Sequence, residues 1–283
     1  MNQHPAFTAG NVAVITGAAD GIGRAAASRF ASLGMNVVMA DIRSEKLESA
    51  AASVREAASG GAVVSGHSLD VANYEDLLAL KSQAFDQFGQ VDVLMNNAGR
   101  SGKTSSWGAL DTWHAIVDVN FWGIVNGVQA FTQAMLDQSR PALIINTGSK
   151  QGITNPPGNP AYNASKAAVK AATESLQHAL RNIEGGQVSA HLLVPGYTFT
   201  GLTRQRVSEK PAAAWHPEQV VSFMMEAIHR GSFYIICPDN EVTSADDAKR
   251  ILWGAGDVAF DRAPLSRWDA SYAEQFAAYE PKP

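Results

Sequence analysis

The chain has 283 residues, 46% of them apolar and 17% charged, with a formal charge of −5, which is long enough to bury a substantial core and carries no low-complexity arm. An acidic balance without Lys/Arg runs excludes a phosphate-backbone binder and an acidic membrane surface as expected partners. No apolar stretch approaches the roughly 18 residues that span a bilayer, the opening MNQHPAFTAG lacks a signal core, and the single Cys237 has no intrachain disulfide partner, so a cytoplasmic protein is expected.

In chain order, short β-branched runs alternate with alanine-rich segments of helical period. NVAVIT precedes a helix over 22–33, NVVMA one over 44–58, AVVSG one over 73–88, VDVLM one over 111–138 and ALIIN one over 160–184; VSAHLLV and a strand at 232–236 follow. Strands apolar along their length are buried on both faces, and helical crossovers are what a parallel sheet requires. The reading is α/β: a single domain spanning 1–283 whose core, about 11–236, is a doubly wound parallel sheet of about seven strands.

From Asp239 the rhythm stops. The extension over about 239–283 is read as two short helices with Ser244 and Asp269 as N-caps, joined by GDVAFDRAPLSR. Its aromatic residues Trp253, Phe260, Trp268, Tyr272, Phe276 and Tyr279 allow three readings: docking on the body of the domain, a subunit contact, or part of a substrate wall.

The first strand runs into Thr16-Gly17-Ala18-Ala19-Asp20-Gly21-Ile22-Gly23, after which a helix is expected. Glycines there let the chain turn tightly and approach a ligand, and a helix N-terminus offers N–H groups and partial positive charge to a pyrophosphate. The Gly-x3-Gly-x-Gly spacing meets the dinucleotide pattern in mechanism rather than in letters. The second strand ends on Asp41, placed to accept bonds from adenosine ribose hydroxyls and to repel a 2′-phosphate, so NAD is expected over NADP. Asp20 adds negative charge to the turn, while Arg43 is the dissenting residue, a cation two positions beyond Asp41.

Tyr162 and Lys166 stand four apart in PAYNASKAAVKAATESLQHAL, so one helix face presents both. A free tyrosine, with a pKa near 10, is too weak an acid to act as a base at neutral pH; an ammonium and an oxidised nicotinamide both favour the phenolate. A drop of about 3 units needs about 4 kcal/mol of preferential stabilisation. Thirteen residues earlier, ALIINTG closes on Ser149 at the carboxyl end of a strand, where open α/β sheets place ligands. Asn120, in DVNFWG, sits where helix propensity does not favour it, which allows either a polar role or a bond to nearby backbone.

Over roughly 11–236 these residues resemble the classical short-chain dehydrogenase/reductase family, in register and in order. Thr16-Gly17-x3-Gly21-Ile22-Gly23 matches its cofactor turn, Asp70-Val71 its adenine-contacting pair and Asn97-Ala98-Gly99 its element after the fourth strand. Asn120, Ser149, Tyr162 and Lys166 match its catalytic tetrad, and Pro195-Gly196 with Thr198 and Thr200 resembles its nicotinamide carboxamide segment. The resemblance implies a Rossmann-type fold, an alcohol or ketone substrate and a homodimer or homotetramer. It also implies roles: Tyr162 as acid/base, Ser149 orienting the substrate oxygen, Lys166 on the nicotinamide ribose, and Asn120 holding a proton-relaying water.

Two features depart from the family: FYIICPDNEV lacks the Asp-Gly-Gly ending of tetrameric reductases, and the aromatic tail has no general counterpart. The competing readings are a catalytically silent NAD(P)-binding sensor, an NADP-dependent ketoreductase, an extended-branch epimerase or dehydratase, and a metal-dependent alcohol dehydrogenase. The intact tetrad, the absence of a large C-terminal substrate domain and the lack of close ligand spacing among the seven histidines argue against the sensor, the epimerase and the metal enzyme in turn. KQGITNPPGNPA between Ser149 and Tyr162 is expected to line the pocket and TFTGLTRQRVSEKPAAAW, 198–215, to form a mobile lid. Tyr197, Phe199 and Trp215 suggest an apolar or aromatic alcohol, or packing alone.

Overall fold

The computed structural model describes residues 4–204 and 209–281. Its strands are β1 (Val12–Thr16), β2 (Asn36–Asp41), β3 (Val64–Ser68), β4 (Val93–Asn96), β5 (Ala142–Thr147), β6 (Val188–Val194) and β7 (Tyr234–Ile236). They form one seven-stranded sheet in the order β3-β2-β1-β4-β5-β6-β7, every pair parallel. The chain leaves β1 for β2 and β3 and returns to the other side of β1 as β4. That reversal opens a crevice beyond the carboxyl ends of β1 and β4, where a doubly wound sheet binds its ligand.

Helices cover both faces: α1 (Gly21–Ser32), α2 (Ser44–Ala57), α3 (Tyr74–Phe88), α4 (Leu110–Val117), α5 (Gly123–Asp137), the short α6 (Gln151–Thr154), α7 (Pro160–Arg181), the short α8 (Gly201–Arg204) and α9 (Pro217–His229). Because successive side chains of a strand point to opposite faces, each apolar strand feeds two cores. Ala13, Ile15, Val37, Met39, Met95 and Ile145 pack with Phe30 of α1, Leu47 of α2 and Met224 of α9. Val12, Val14, Val38, Leu94 and Ile144 pack with Leu77 and Leu80 of α3, Phe131 and Met135 of α5 and Leu180 of α7.

Besides α9, where no helix was expected, three elements differ from the expectation. β3 begins two residues after the start of AVVSG and reads VSGHS, buried only at Val64 and half-buried or exposed beyond it, because it is the edge strand and only one neighbour covers it. The expected helix over 111–138 is interrupted: α4 passes through a π-turn, Asp118–Trp122, into α5, and Asn120 lies fully buried inside it. A single wide turn of five residues is too short for periodicity to report.

The third difference is the tail. Its first helix, α10 (Ser244–Ala259), is 16 residues long and takes in the Gly256–Ala259 stretch expected to be loop; Thr243, not Ser244, is the cap, in a reciprocal pair with Asp246. Asp269 does cap, but on a 3-10 turn, Ala270–Tyr272, that leads into α11 (Ala273–Ala278). The tail folds on itself around the buried Trp253. The Trp253 ring meets Phe276 and Tyr279 edge-on, each at 5.3 Å, its Nε1 donates to Ser266 Oγ at 2.7 Å, and the Arg262 guanidinium lies 4.0 Å from its centroid.

Candidate active site

The turn between β1 and α1 is built for an anion. Gly17 and Gly21 have φ of +64° and +53°, left-handed conformations that glycine adopts without strain. A Cβ on Gly23 would lie 2.4 Å from Gly17 O and 2.6 Å from Asn97 Nδ2, so only glycine lets α1 close onto the turn. The N–H groups of Ile22 and Gly23 have no acceptor among the described residues, and they sit at the positive end of α1.

Asp20 is not the isolated negative charge that its place in the turn suggests. Its Oδ1 accepts from Gly21 N at 2.6 Å, and Lys46 of α2 and Arg204 of α8 both ion-pair with its carboxylate. Burial opposes ionisation here, but the bonds from Lys46, Arg204 and Gly21 outweigh it and hold the carboxyl down at about 2. Asp20 thus joins the turn to the segment after β6, and with two cations on one carboxylate the local balance is positive.

Asp41, at the end of β2, is 5% exposed and fully engaged. Its Oδ2 accepts from Ala19 N at 3.1 Å, while Arg43 grips both oxygens, Nε to Oδ1 at 2.9 Å and Nη2 to Oδ2 at 3.1 Å. The two residues that argued for opposite cofactors are therefore paired to each other. At the end of β4, Asn97 bridges back to β1, its N donating to Thr16 Oγ1 at 3.0 Å and its Nδ2 to Thr16 O at 3.1 Å.

The chemistry-bearing side chains come from α7 and the end of β5. Lys166 is 3% exposed and donates to Thr147 O at 2.7 Å, with its ammonium 6.0 Å from the centre of the Tyr162 ring. Burial pulls Lys166 down to about 8. The backbone leaving Ser149 is held by bonds from Gln151 N to Ser149 Oγ, 3.2 Å, and from Gly152 N to Ser149 O, 3.0 Å. Behind Tyr162, Asn120 Nδ2 donates to Ser165 Oγ at 3.0 Å, and Ser165 Oγ donates to Tyr162 O at 2.8 Å. The other bonds of Asn120 go to the Arg100 backbone, accepting from its N at 2.8 Å and donating to its O at 3.0 Å. Its amide is consumed in fixing two distant segments, neither of them the local backbone.

Lys166 should cost stability in the cofactor-free protein, and the cost has a pH signature. Below pH 8 the native state carries the buried ammonium; between about pH 8 and its usual 10.5 the native state binds fewer protons than the unfolded one, so stability rises with pH. A Lys166→Met protein should melt higher than wild type at pH 7.5 by about 4 °C, from about 3 kcal/mol of relieved desolvation less about 1 kcal/mol for the lost bond. That gap should close towards pH 10, and a gap independent of pH in melting curves would refute the account.

A cavity of about 950 Å³ unites these parts. Gly17, Asp20, Gly21 and Ile22 line one end with Asp41, Asp70 and Val71; Asn97, Ala98 and Gly99 line the middle. Ser149, Tyr162 and Lys166 face it with Pro195, Gly196, Thr198 and Thr200. Of the expected site residues, Gly23 and Asn120 stand behind the wall as supports. Of the three aromatics near the expected lid, Tyr197 lines the cavity, whereas Trp215 packs against Phe223 at 6.0 Å and Phe199 lies under Arg204. Within 198–215, a bridge between Thr198 and Trp215 joins the ends, and 205–208 lie outside the described residues.

Sequence reasoning missed Arg100 and Val119, which line the same cavity; Lys150 and Gln151, the first residues of the KQGITNPPGNPA segment expected to line the pocket, do line it. Lys150 Nζ lies 2.6 Å from Asp247 Oδ2 on α10 and 3.8 Å from Asp239 Oδ2. Burial pushes the Asp247 carboxyl up, against the pull of Lys150. The tail therefore docks on its own domain and braces the wall beside Ser149. A cation directly after Ser149 was visible; its partner 97 residues later was not.

A family model described as short chain dehydrogenase matches residues 11–211. The chain is 33% identical over 249 residues to a 1-deoxy-11-beta-hydroxypentalenate dehydrogenase of Streptomyces avermitilis, covering 86% of this chain and 90% of that one. It is 34% identical over 206 residues to 3beta-hydroxysteroid dehydrogenase 1 of Eggerthella lenta, covering 72% and 77%. Among solved structures it resembles a short chain dehydrogenase/reductase from Burkholderia phymatum in complex with NAD, with a TM-score of 0.82, 34% identity, and coverage of 93% of this chain and 98% of that one.

Proposed function

Because the chain belongs to the short chain dehydrogenase family, we propose that it moves a hydride between NAD(H) and a secondary alcohol or ketone, with Tyr162 as the acid/base. The observation that carries this reading is the meeting of Ser149, Tyr162 and Lys166 in one cavity with a glycine turn whose N–H groups await an acceptor. The turn from Gly17 to Gly23 holds the pyrophosphate, Asp41 the adenosine ribose, and Asp70-Val71 the adenine. Asn97-Ala98-Gly99, Lys166, Pro195-Gly196, Thr198 and Thr200 hold the nicotinamide half. A nicotinamide bound there supplies or accepts the hydride.

The protein's own part is proton chemistry. Ser149 Oγ orients the substrate oxygen, and the Tyr162 hydroxyl gives it a proton in reduction or takes one in oxidation. The Lys166 ammonium, 6.0 Å from the ring centre, favours a developing negative charge on the Tyr162 oxygen. Asn120 anchors α7 so that the Tyr162 backbone stays in place. The substrate frame is apolar: Val119, Tyr197 and Leu202 line the cavity, and the named relatives act on hydroxypentalenate and hydroxysteroid frames. The working form is a homodimer or homotetramer, which light scattering measures directly.

NAD preference follows from Asp41, and its pairing with Arg43 sets the test. In the wild type, kcat/KM for NAD exceeds that for NADP by about tenfold or more, since a 2′-phosphate must approach a carboxylate. In Asp41→Ala the guanidinium is released and can meet the phosphate, so the ratio falls at least about tenfold. Equal use of both cofactors by the wild type would defeat the assignment. Oxidation of a panel of secondary alcohols, followed by NADH absorbance, tests the function itself.

A further inference from the structure

Among the described residues four cations line the cavity: Arg43, Arg100, Lys150 and Lys166. Three are committed within the protein. Arg43 forks onto Asp41, Lys150 pairs with Asp247, and Lys166 donates to Thr147 O. The Arg100 guanidinium has no hydrogen bond or ion pair to any described residue, although its backbone is clamped on both sides by Asn120. Arg100 is exposed and lines the cavity, so its fixed Cα carries an uncommitted planar cation that an entering anion can reach.

The neighbourhood of Arg100 belongs to the substrate end. The next residues reach across to the start of α7, with Asn159 Nδ2 donating to Ser101 Oγ at 3.0 Å and Thr104 Oγ1 donating to Asn159 Oδ1 at 2.9 Å. The acids among the described residues that line the cavity, Asp20, Asp41 and Asp70, stand at or just beyond the carboxyl ends of β1, β2 and β3, with the glycine turn. No acidic side chain among the described residues lines the wall around Ser149 and Tyr162. Among the described residues, Arg100 is the cavity-lining cation that no side chain or carbonyl of the protein engages.

We propose that Arg100 binds an anionic oxygen group, carboxylate or phosphate, carried by the substrate away from its reacting carbinol. This inference rests on the dehydrogenase reading above. The substrate is then amphipathic: a hydrocarbon frame with a secondary alcohol or ketone at Ser149 and Tyr162 and an acidic group at Arg100. An ester or amide of the same frame leaves the guanidinium without its bidentate partner, whereas the acid satisfies both.

The test uses three probes on one frame: 4-hydroxycyclohexanecarboxylate, its methyl ester, and (4-hydroxycyclohexyl)methyl phosphate. Each is titrated calorimetrically into enzyme saturated with NAD and separately assayed for NADH production. In wild type one anion should bind about tenfold or more tighter than the ester, and the tighter of the two names the group. Arg100→Met should bring that ratio to near one, Arg100→Lys should retain part of it, and added salt should weaken it. Lys103→Met, which removes an equal charge from an exposed neighbouring position, should leave it unchanged. An anion:ester ratio near one in the wild type, failure of both anions to bind, indifference to Arg100→Met, or an equal loss in Lys103→Met would overturn the proposal. Anion preference in binding without any turnover would remove the dehydrogenase reading and leave the anion site standing.

Discussion

A Tyr162→Phe enzyme should lose about a thousandfold in kcat while binding its cofactor nearly as well as wild type. The substitution removes one oxygen and keeps the ring, so the contact with the Lys166 ammonium, 6.0 Å from the ring centre, survives in outline. What disappears is the hydroxyl proposed to exchange a proton with the substrate oxygen, while the proposed place of that oxygen at Ser149 is kept. The glycine turn and Asp41 are untouched by the change, which is why binding and turnover should separate. Stopped-flow turnover together with NADH binding by fluorescence distinguishes the two, and retention of more than about a tenth of wild-type kcat would reject the role.

Much of this site could be read in advance because its parts are short and local. Gly17, Gly21 and Gly23 act through backbone shape, and Tyr162 and Lys166 through a fixed helical spacing, so letters and intervals carry the information. The strands β1, β2, β4, β5 and β6 were legible for a similar reason, since strands buried on both faces are apolar throughout. Less legible features depend on partners distant in sequence. Asp20 looked like free negative charge because Lys46 and Arg204 reach it from other elements. Lys150 and Asp247 meet through the tail, and Asn120 spends its amide on Arg100 and Ser165. No local pattern announces such pairings, nor the π-turn that delivers Asn120 to them.

The contact between α6 and α7 yields the second large effect. A Cβ on Gly152 would stand 2.4 Å from Lys166 C, 2.6 Å from Lys166 O and 2.7 Å from Ala167 N, all of them backbone inside a long helix. Neither side can yield as a flexible side chain would, so Gly152→Ala must push α6 away from α7. The displacement falls between the two halves of the chemistry, because Gly152 N bonds Ser149 O while the obstructed backbone belongs to Lys166, one turn beyond Tyr162.

Overpacking of this kind costs about 1–3 kcal/mol in stability, and a shift approaching 1 Å between catalytic groups can cost about a hundredfold in rate. Gly152→Ala should therefore lower kcat/KM for the alcohol about a hundredfold and lower the melting temperature by several degrees, while the Kd for NADH changes far less. A general loss of folding would depress all three together, and preserved alcohol oxidation would mean that α6 carries Ser149 without reference to α7. The separation expected here, with rate lost and cofactor binding kept, follows from the methyl group that Gly152 lacks, where the segment after Ser149 meets the helix of Tyr162 backbone against backbone.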